Sequence, residues 1–247
     1  MIPLLRGWTS VQRTAQNNLR LGVTLCFVAG ATNAGGFLAV GQYTSHMSGI
    51  VSSVADNLVL GQVQLALAGI AAVLAFLLGA MTTAWMVNWG LRHKMQSAYG
   101  RPLLLEAGLL LVFGVFGTGI NFFAPLFAPL TVLLLCFIMG LQNAVITKIS
   151  HAEIRTTHVT GLVTDLGIEL GKLFYVNRLT RDTLVVADRA RLAIHLKLIG
   201  SFFIGGLAGA IGFKTMGYYA TVPLSVLLLL LVLRPVLNDA RNWIEPH

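Results

Sequence analysis

Two histidines in closely similar surroundings are the residues of this sequence best suited to binding chemistry. The motif TSHMSG at positions 44–49 is echoed by TTHVTG at 156–161, so His46 and His158 occupy the same place in each motif. An imidazole side chain can exchange a proton, bind an anion or hydrogen-bond a packed neighbour. The Ser and Thr residues of both motifs suit the start of a helix, where free N–H groups favour an anion or a carboxylate. The pair predicts either a solute site or two histidines with a packing role.

The polar members of both motifs and one preceding asparagine in each half form the candidate substrate-binding set. These residues are Thr44, His46, Ser48, Thr156, His158, Thr160, Asn33 and Asn143. Asparagine in a bundle of membrane helices commonly stabilises packing through hydrogen bonds, which favours a packing role for Asn33 and Asn143 over ligand contact.

Three carboxylates beyond the motifs, Asp56, Asp165 and Glu169, are candidates for a proton relay. An ionisable side chain at membrane depth is costly and usually faces a cavity or a partner. Glu169 has Lys172 close by in sequence, so a solvated position at a helix end is the favoured alternative for it.

Enzymatic and metal chemistry are not expected. The sequence has no Gly-x-Ser-x-Gly elbow, His-Glu-x-x-His helix, phosphate-binding loop or Cys-x-x-Cys pair, and His46 and Ser48 do not face each other on a helix. Both cysteines, Cys26 and Cys136, lie in apolar runs and predict neither a disulfide framework nor a zinc site. We expect no catalytic residues, no metal and no cofactor.

The composition predicts an integral membrane protein. Of the 247 residues, 56% are hydrophobic and only 11% charged, and the mean hydropathy is +0.78. Apolar runs at 65–87, 103–123, 125–147, 196–213 and 218–233 approach the ~20 residues that cross a bilayer, and a further span is expected from Leu21 onward. The net charge of +8 is spread over short loops, so nucleic acid is not an expected partner; the lipid bilayer is.

An internal repeat organises the chain. LCFVAGATNA at 25–34 resembles LCFIMGLQNA at 135–144, and Phe76 with Gly79 resembles Phe203 with Gly206 more weakly. We divide the chain into a tail at 1–20, a first membrane repeat at 21–124, a second at 125–240 with a polar cytoplasmic connector at 176–194, and a tail at 241–247. Each repeat is predicted to contain a span, a short polar helix (48–60 or 160–175) and two further spans.

Charge placement favours six crossings over eight. Lys and Arg in short loops concentrate on the cytoplasmic side, and if the short helices do not cross, every basic residue except Lys214 is cytoplasmic. The predicted fold is therefore all-α, with six transmembrane helices, two partial helices and both termini in the cytoplasm. Three crossings per half make the repeat inverted, a design common among transporters and channels.

The segment 28–60, with Gly30, Asn33 and the TSHMSG motif, resembles the opening of the YoaK-like bacterial membrane family, a domain of unknown function. It departs from the family pattern at Asn33, where many relatives carry an acidic residue, and at Ile50, where many carry Asn. The resemblance implies a multi-pass protein of the bacterial inner membrane with about six helices, and it supplies no substrate.

The sequence predicts a small-solute transporter or channel with its site at the interface of the two repeats. Helix starts and histidines favour a small anion or carboxylate as the solute. The alternative is a non-transporting membrane scaffold or sensor partner, in which both motifs are dry and packed. The identity of the solute, the coupling ion, the direction and the oligomeric state are left open.

Overall fold

The chain folds into helices throughout the part that the computed structural model describes, which comprises residue 9 and residues 14–117, 124–151, 154–177 and 184–244. The helices are α1 (Ala15–Val40), α2 (Met47–Val59), α3 (Val63–Arg92), α4 (Gly100–Phe116), α5 (Ala124–Ile149), α6 (Val159–Leu173), α7 (Arg189–Met216) and α8 (Thr221–Ile244), with a 3-10 turn at Gly217–Ala220. The tails at 1–20 and 241–247, the connector at 176–194 and the predicted span at 103–123 lie partly outside the described residues.

Four stretches of the described chain are long and apolar enough to cross a membrane. They are Ala15–Val40, Val63–Arg92, Ala128–Ile149 and Arg189–Asn242, the last of which runs through α7, the 3-10 turn and α8. Helix α4 is apolar but has 17 residues. The predicted order of long helices around a short α2 and a short α6 is found, and the protein is a multi-pass membrane protein.

Three long pairs build the bundle: α1 with α7, α3 with α5, and α4 with α8. The short helix α2 packs on α3, and α6 packs on α7. Large apolar side chains of α3 and α7 remain exposed on the monomer, among them Leu74, Leu78, Phe203 and Leu207. A surface of this kind is suited to lipid, which solvates apolar side chains as well as the protein core does.

Glycines allow the paired helices to approach at backbone distance. A methyl group on Gly30 of α1 would overlap the Phe202 carbonyl of α7, and one on Gly140 of α5 would overlap the Phe76 carbonyl of α3. The reverse contacts are also matched, since Gly205 meets the Phe27 carbonyl and Gly79 meets the Phe137 carbonyl. Small residues at membrane helix interfaces work in this way, because close backbones gain dispersion contacts.

These contacts correct the register of the third sequence match. Phe76 and Gly79 correspond in their contacts to Phe202 and Gly205, one position earlier than the predicted Phe203 and Gly206. The segment 202–206 reads FFIGG, so its doubled Phe and doubled Gly allow both alignments by sequence alone. Backbone contact decides between them.

A buried carboxylate fixes the start of α4. Asp239 of α8 is 8% exposed and accepts hydrogen bonds from Gln96 N at 3.0 Å, Ser97 N at 2.8 Å and Ser97 Oγ at 2.6 Å. Further along the same pair, Ser225 Oγ donates to Ala107 O at 2.6 Å and Thr221 Oγ1 donates to Leu110 O at 2.8 Å. Helix α4 is thereby held to α8 over most of its length.

Replacing Gly140 by Ala is expected to lower the free energy of unfolding by about 1–3 kcal/mol, the usual cost of overpacking, because the new methyl group overlaps backbone that has no rotamer to move. Gly200→Ala on α7 is the matched control, since a Cβ there meets no atom within 4 Å. That variant should be neutral or slightly stabilising. Thermal unfolding of the purified protein in detergent measures both, and equal midpoints for the two variants would contradict the close approach.

Candidate functional site

Each short helix begins at the histidine of its motif. His46 (φ −90°, ψ 66°) is the N-cap of α2 and His158 (φ −83°, ψ 56°) is the N-cap of α6, and neither side chain caps the helix. The predicted capping by Ser or Thr is therefore not found. Each ring lies instead over the glycine three residues later, Gly49 or Gly161, where a Cβ would collide with it. Neither helix has a side-chain cap on its first turn, so the free N–H groups there carry the positive end of the helix dipole.

Each repeat asparagine is hydrogen-bonded to the segment of chain that leads into the short helix of its half. Asn33 Oδ1 accepts from Ser45 N at 3.2 Å and from Ser45 Oγ at 3.0 Å. In the second half, Asn143 Oδ1 accepts from Thr156 Oγ1 at 3.2 Å and Thr157 Oγ1 at 2.9 Å. Each asparagine thus ties a long helix to the approach of the short helix in its own half. The contacts give both residues a positioning role.

The first threonine of each motif is enclosed. Thr44 and Thr156 are both 0% exposed. Cys26 Sγ of α1 donates to Thr156 O at 3.6 Å, so a helix of the first half touches the motif of the second. Ser48 and Thr160, in contrast, are exposed on the monomer, as are Asp56 and Asp165. Only some of the predicted site residues therefore share one environment.

A cavity of about 710 Å³ opens between α2, the end of α1 and the starts of α3 and α5. Its polar lining comes from Gln42, Tyr43, His46, Ser53 and Asn57, and the apolar remainder includes Phe37, Val40, Ile50, Leu65, Ala68, Pro129, Val132 and Leu133. Asn57 Nδ2 donates to Ser53 Oγ at 3.2 Å, and the rings of Phe37 and Tyr43 stack at 4.6 Å. This size and mixture suit a small-molecule site.

The cavity contains the first motif histidine and not the second. His158 is absent from its lining, so this cavity does not join the two motifs. Four of its polar residues, Gln42, Tyr43, Ser53 and Asn57, were not predicted as site residues. Ser53 and Asn57 are one turn apart on α2, and that spacing on a short polar helix was the available signal.

In the second half, the position that corresponds to Asn57 is occupied by Glu169, which forms an ion pair with Lys172. Glu169 is 4% exposed, and its carboxylate bonds Lys172 Nζ at 2.7 Å and Asp188 N at 2.7 Å. These hydrogen bonds, that with Lys172 first, hold the pKa of the Glu169 carboxyl below its usual value. Glu169 therefore fastens the end of α6 to the start of α7. The alternative of a solvated carboxylate does not describe its buried position.

A carboxylate in the middle of an apolar run escaped the sequence analysis. Glu106 lies within 103–123, and the structure buries it completely on α4. A lone acidic residue in a membrane span is a functional signal by its cost alone, and that rule was sufficient to find it.

Comparison with known proteins gives two findings. The model of a family described as "Protein of unknown function (DUF1275)" matches residues 21–234. The UPF0700 transmembrane protein YoaK of Bacillus subtilis (strain 168) is 29% identical over 189 residues, which cover 73% of this chain and 79% of that protein. No solved structure matches.

The lowered pKa of Glu169 predicts a loss of stability in acid. The charged carboxylate stabilises the folded state, so its contribution is complete above the unfolded value of about 4.3 and is lost as the pH falls through the lower folded value. Glu169→Gln should have a lower thermal midpoint than the wild type at neutral pH, and the difference should shrink on acidification below that range.

Asp165→Asn, an exposed carboxylate on the same helix, is the matched control and should leave the midpoint unchanged. A difference between wild type and Glu169→Gln that persists unchanged into acid would show that the ion pair does not stabilise the fold.

Proposed function

Because this chain belongs to the DUF1275 family, whose description assigns no activity, we propose a function from its own structure: it is a small-solute transporter or channel that binds its solute beside His46. The observation that carries the proposal is the cavity of about 710 Å³ between α2, the end of α1 and the starts of α3 and α5. A histidine, an asparagine and a serine in the lining give this cavity polar groups that can bind water or a polar solute.

The chemistry of the lining favours a small anion or a carboxylate. The lining residues include no Asp, Glu, Lys or Arg, and they include His46 and Gly49 at the start of α2, where the helix dipole is positive. Gly49 of the first turn and the His46 ring both border the cavity, which presents uncapped N–H groups and an imidazole together. Helix starts of this kind bind anions without an additional cation.

The proposal includes six crossings, by α1, α3, α4, α5, α7 and α8, with both ends of the chain in the cytoplasm and the two halves inverted. The positions of Lys and Arg and the matched glycine contacts of α1 with α7 and α3 with α5 support this topology. Inverted repeats commonly bind solute near helix starts and give access to each side in turn.

The difference between the halves supports alternating access. In the first half Asn57 lines an open cavity, whereas in the second half Glu169 is bonded to Lys172 and to the backbone of Asp188. We assign the first half as the open side of this conformation and the Glu169 contacts as the latch on the other side. Exchange of these two arrangements would open a cavity beside His158 in turn.

A non-transporting scaffold is the weaker alternative, because it requires both motifs to be dry and packed. The lining of the cavity by His46, Ser53 and Asn57 disfavours it.

The decisive experiment is solute flux into proteoliposomes, with chloride, nitrate, lactate and succinate as probes and protein-free liposomes as the background. Flux of at least one anion is expected, and His46→Ala should slow it about tenfold to a hundredfold, because a hydrogen bond to a charged group is worth about 1.5–3 kcal/mol. His158→Ala should slow it too if access alternates.

The matched control is His93→Ala, which removes an exposed imidazole outside the cavity lining at the end of α3. Its flux should equal that of the wild type. Normal flux in a folded double variant of His46 and His158 would remove the site, and potassium flux without anion flux would overturn the assignment of the solute class.

A further inference from the structure

The carboxyl group of Glu106 is enclosed in the bundle without a partner. Glu106 is 0% exposed, and neither of its oxygens has a hydrogen-bond partner among the described residues. It lies about 9 Å along the helix axis from Gly100, the first residue of α4. A charged carboxylate at this position would lose its hydration and gain nothing in return, so the enclosed group has to be neutral or be given a partner.

The immediate surroundings of Glu106 are apolar. Leu103, Ala107 and Leu110, on the same face of α4, belong to the main hydrophobic core. The nearby hydroxyls of α8 are directed at backbone: Ser225 Oγ donates to Ala107 O and Thr221 Oγ1 donates to Leu110 O. These two hydroxyls of α8 therefore bond the backbone of α4 and form no hydrogen bond with the Glu106 carboxyl.

The ionisable residues of the helices packed on α4 lie elsewhere. Contacts of Ala107 with Ser225 and of Ser97 with Asp239 set the antiparallel register, which places Glu106 level with residues near 226 of α8. The other ionisable groups on these elements have their own places. On α8 they lie near the start of α4 and beyond it: Arg234, Asp239 and Arg241. On α5, Cys136 lies in a second apolar cluster and Lys148 is bonded to Asn88. The remaining groups are Arg92 at the end of α3, Arg101 of α4 over the Trp89 ring, and Tyr218 and Tyr219 in the 3-10 turn.

Five further described side chains also have a buried polar atom without a hydrogen-bond partner: Asn18, Thr32, Thr44, Gln142 and His195. Gln142 of α5 and Thr32 of α1 occupy matching positions of the sequence repeat, and both are buried with unbonded polar atoms. Val28 and Met139, one turn before them, belong to the same core cluster as Leu103 and Leu110. A core that leaves several polar groups unbonded in one arrangement has capacity to bond them in another.

We propose that Glu106 is the proton-binding site that couples transport by this protein to the proton gradient. The inference rests on the proposed transport function and names its coupling ion. In the enclosed state the group is the neutral carboxylic acid. When the helices around α4 move to admit water, the O–H bond breaks, the proton goes to water and the electron pair remains as carboxylate; the reverse step takes a proton from the other side.

A proton fits this site better than a metal cation does. Hard cations need several oxygen ligands in a shell, as Ca²⁺ and Mg²⁺ do, and Glu106 brings a single carboxyl into apolar surroundings. Among the described residues no group of three His, Cys, Asp or Glu side chains converges. A proton needs only the one carboxyl group.

Infrared spectroscopy of the full-length protein in lipid nanodiscs tests the protonation directly. At neutral pH the wild type should show the carbonyl band of a protonated carboxylic acid, and Glu106→Gln should lose it. Asp188→Asn is the matched control, because Asp188 is a helix N-cap outside the core and Asn caps a helix equally well. Circular dichroism confirms that each variant is folded.

Absence of the band in the wild type, or its persistence in Glu106→Gln, would overturn the proton site. The transport part is read separately, with the anion probe that the wild type moves. Glu106→Gln should still equilibrate that probe down its own gradient and should lose accumulation driven by a pH gradient. Accumulation that survives in Glu106→Gln contradicts the coupling while the transport function stands; a band that behaves as expected with no flux of any probe removes the transport function and leaves Glu106 as a proton site.

Discussion

The requirement that a polar group within hydrocarbon find its partner inside the protein governs this structure. Thr83 Oγ1 bonds the Leu141 carbonyl, Ser201 Oγ bonds the Val23 carbonyl, and Asp239 bonds the chain before α4. Each of these bonds joins two segments that are distant in sequence. They fix the register of α3 with α5, α7 with α1 and α8 with α4, while the glycines of the first two pairs let the backbones come close enough for such bonds to form.

The same requirement explains which parts of the fold the sequence predicts. The sequence shows the repeated Gly and Asn residues and the short polar helices. Repeated Gly residues indicate close helix contacts, and polar residues within a membrane bundle indicate positions that are protected from lipid. The third match was misaligned by one residue, since FFIGG offers two equivalent registers and only the Phe202 and Gly205 contacts distinguish them. The capping of α2 and α6 was also mispredicted, because the Asn33 and Asn143 side chains bond Ser and Thr residues that would otherwise be available as caps.

Of the residues that line the cavity, the sequence analysis selected His46 as a candidate. It did not show that Ser53 and Asn57 line a cavity with His46, because that depends on where the start of α5 lies against α1. Nor did the repeat show that corresponding positions would differ in use. Asn57 lines the cavity, whereas the Glu169 carboxylate is hydrogen-bonded to Lys172 Nζ and to the Asp188 N–H.

Buried groups that lack partners are most informative against this background. A fold that bonds Thr83, Ser225 and Thr221 to carbonyls of neighbouring helices has the means to satisfy hydroxyls. Among the described residues it nonetheless leaves the carboxyl of Glu106 unbonded, together with buried polar atoms of Asn18, Thr32, Thr44, Gln142 and His195. Leaving them so lowers the stability of this arrangement relative to any other in which they are bonded or hydrated. Hydrogen bonds between distant segments join the helix pairs, whereas these buried groups gain stability only in an arrangement that bonds or hydrates them.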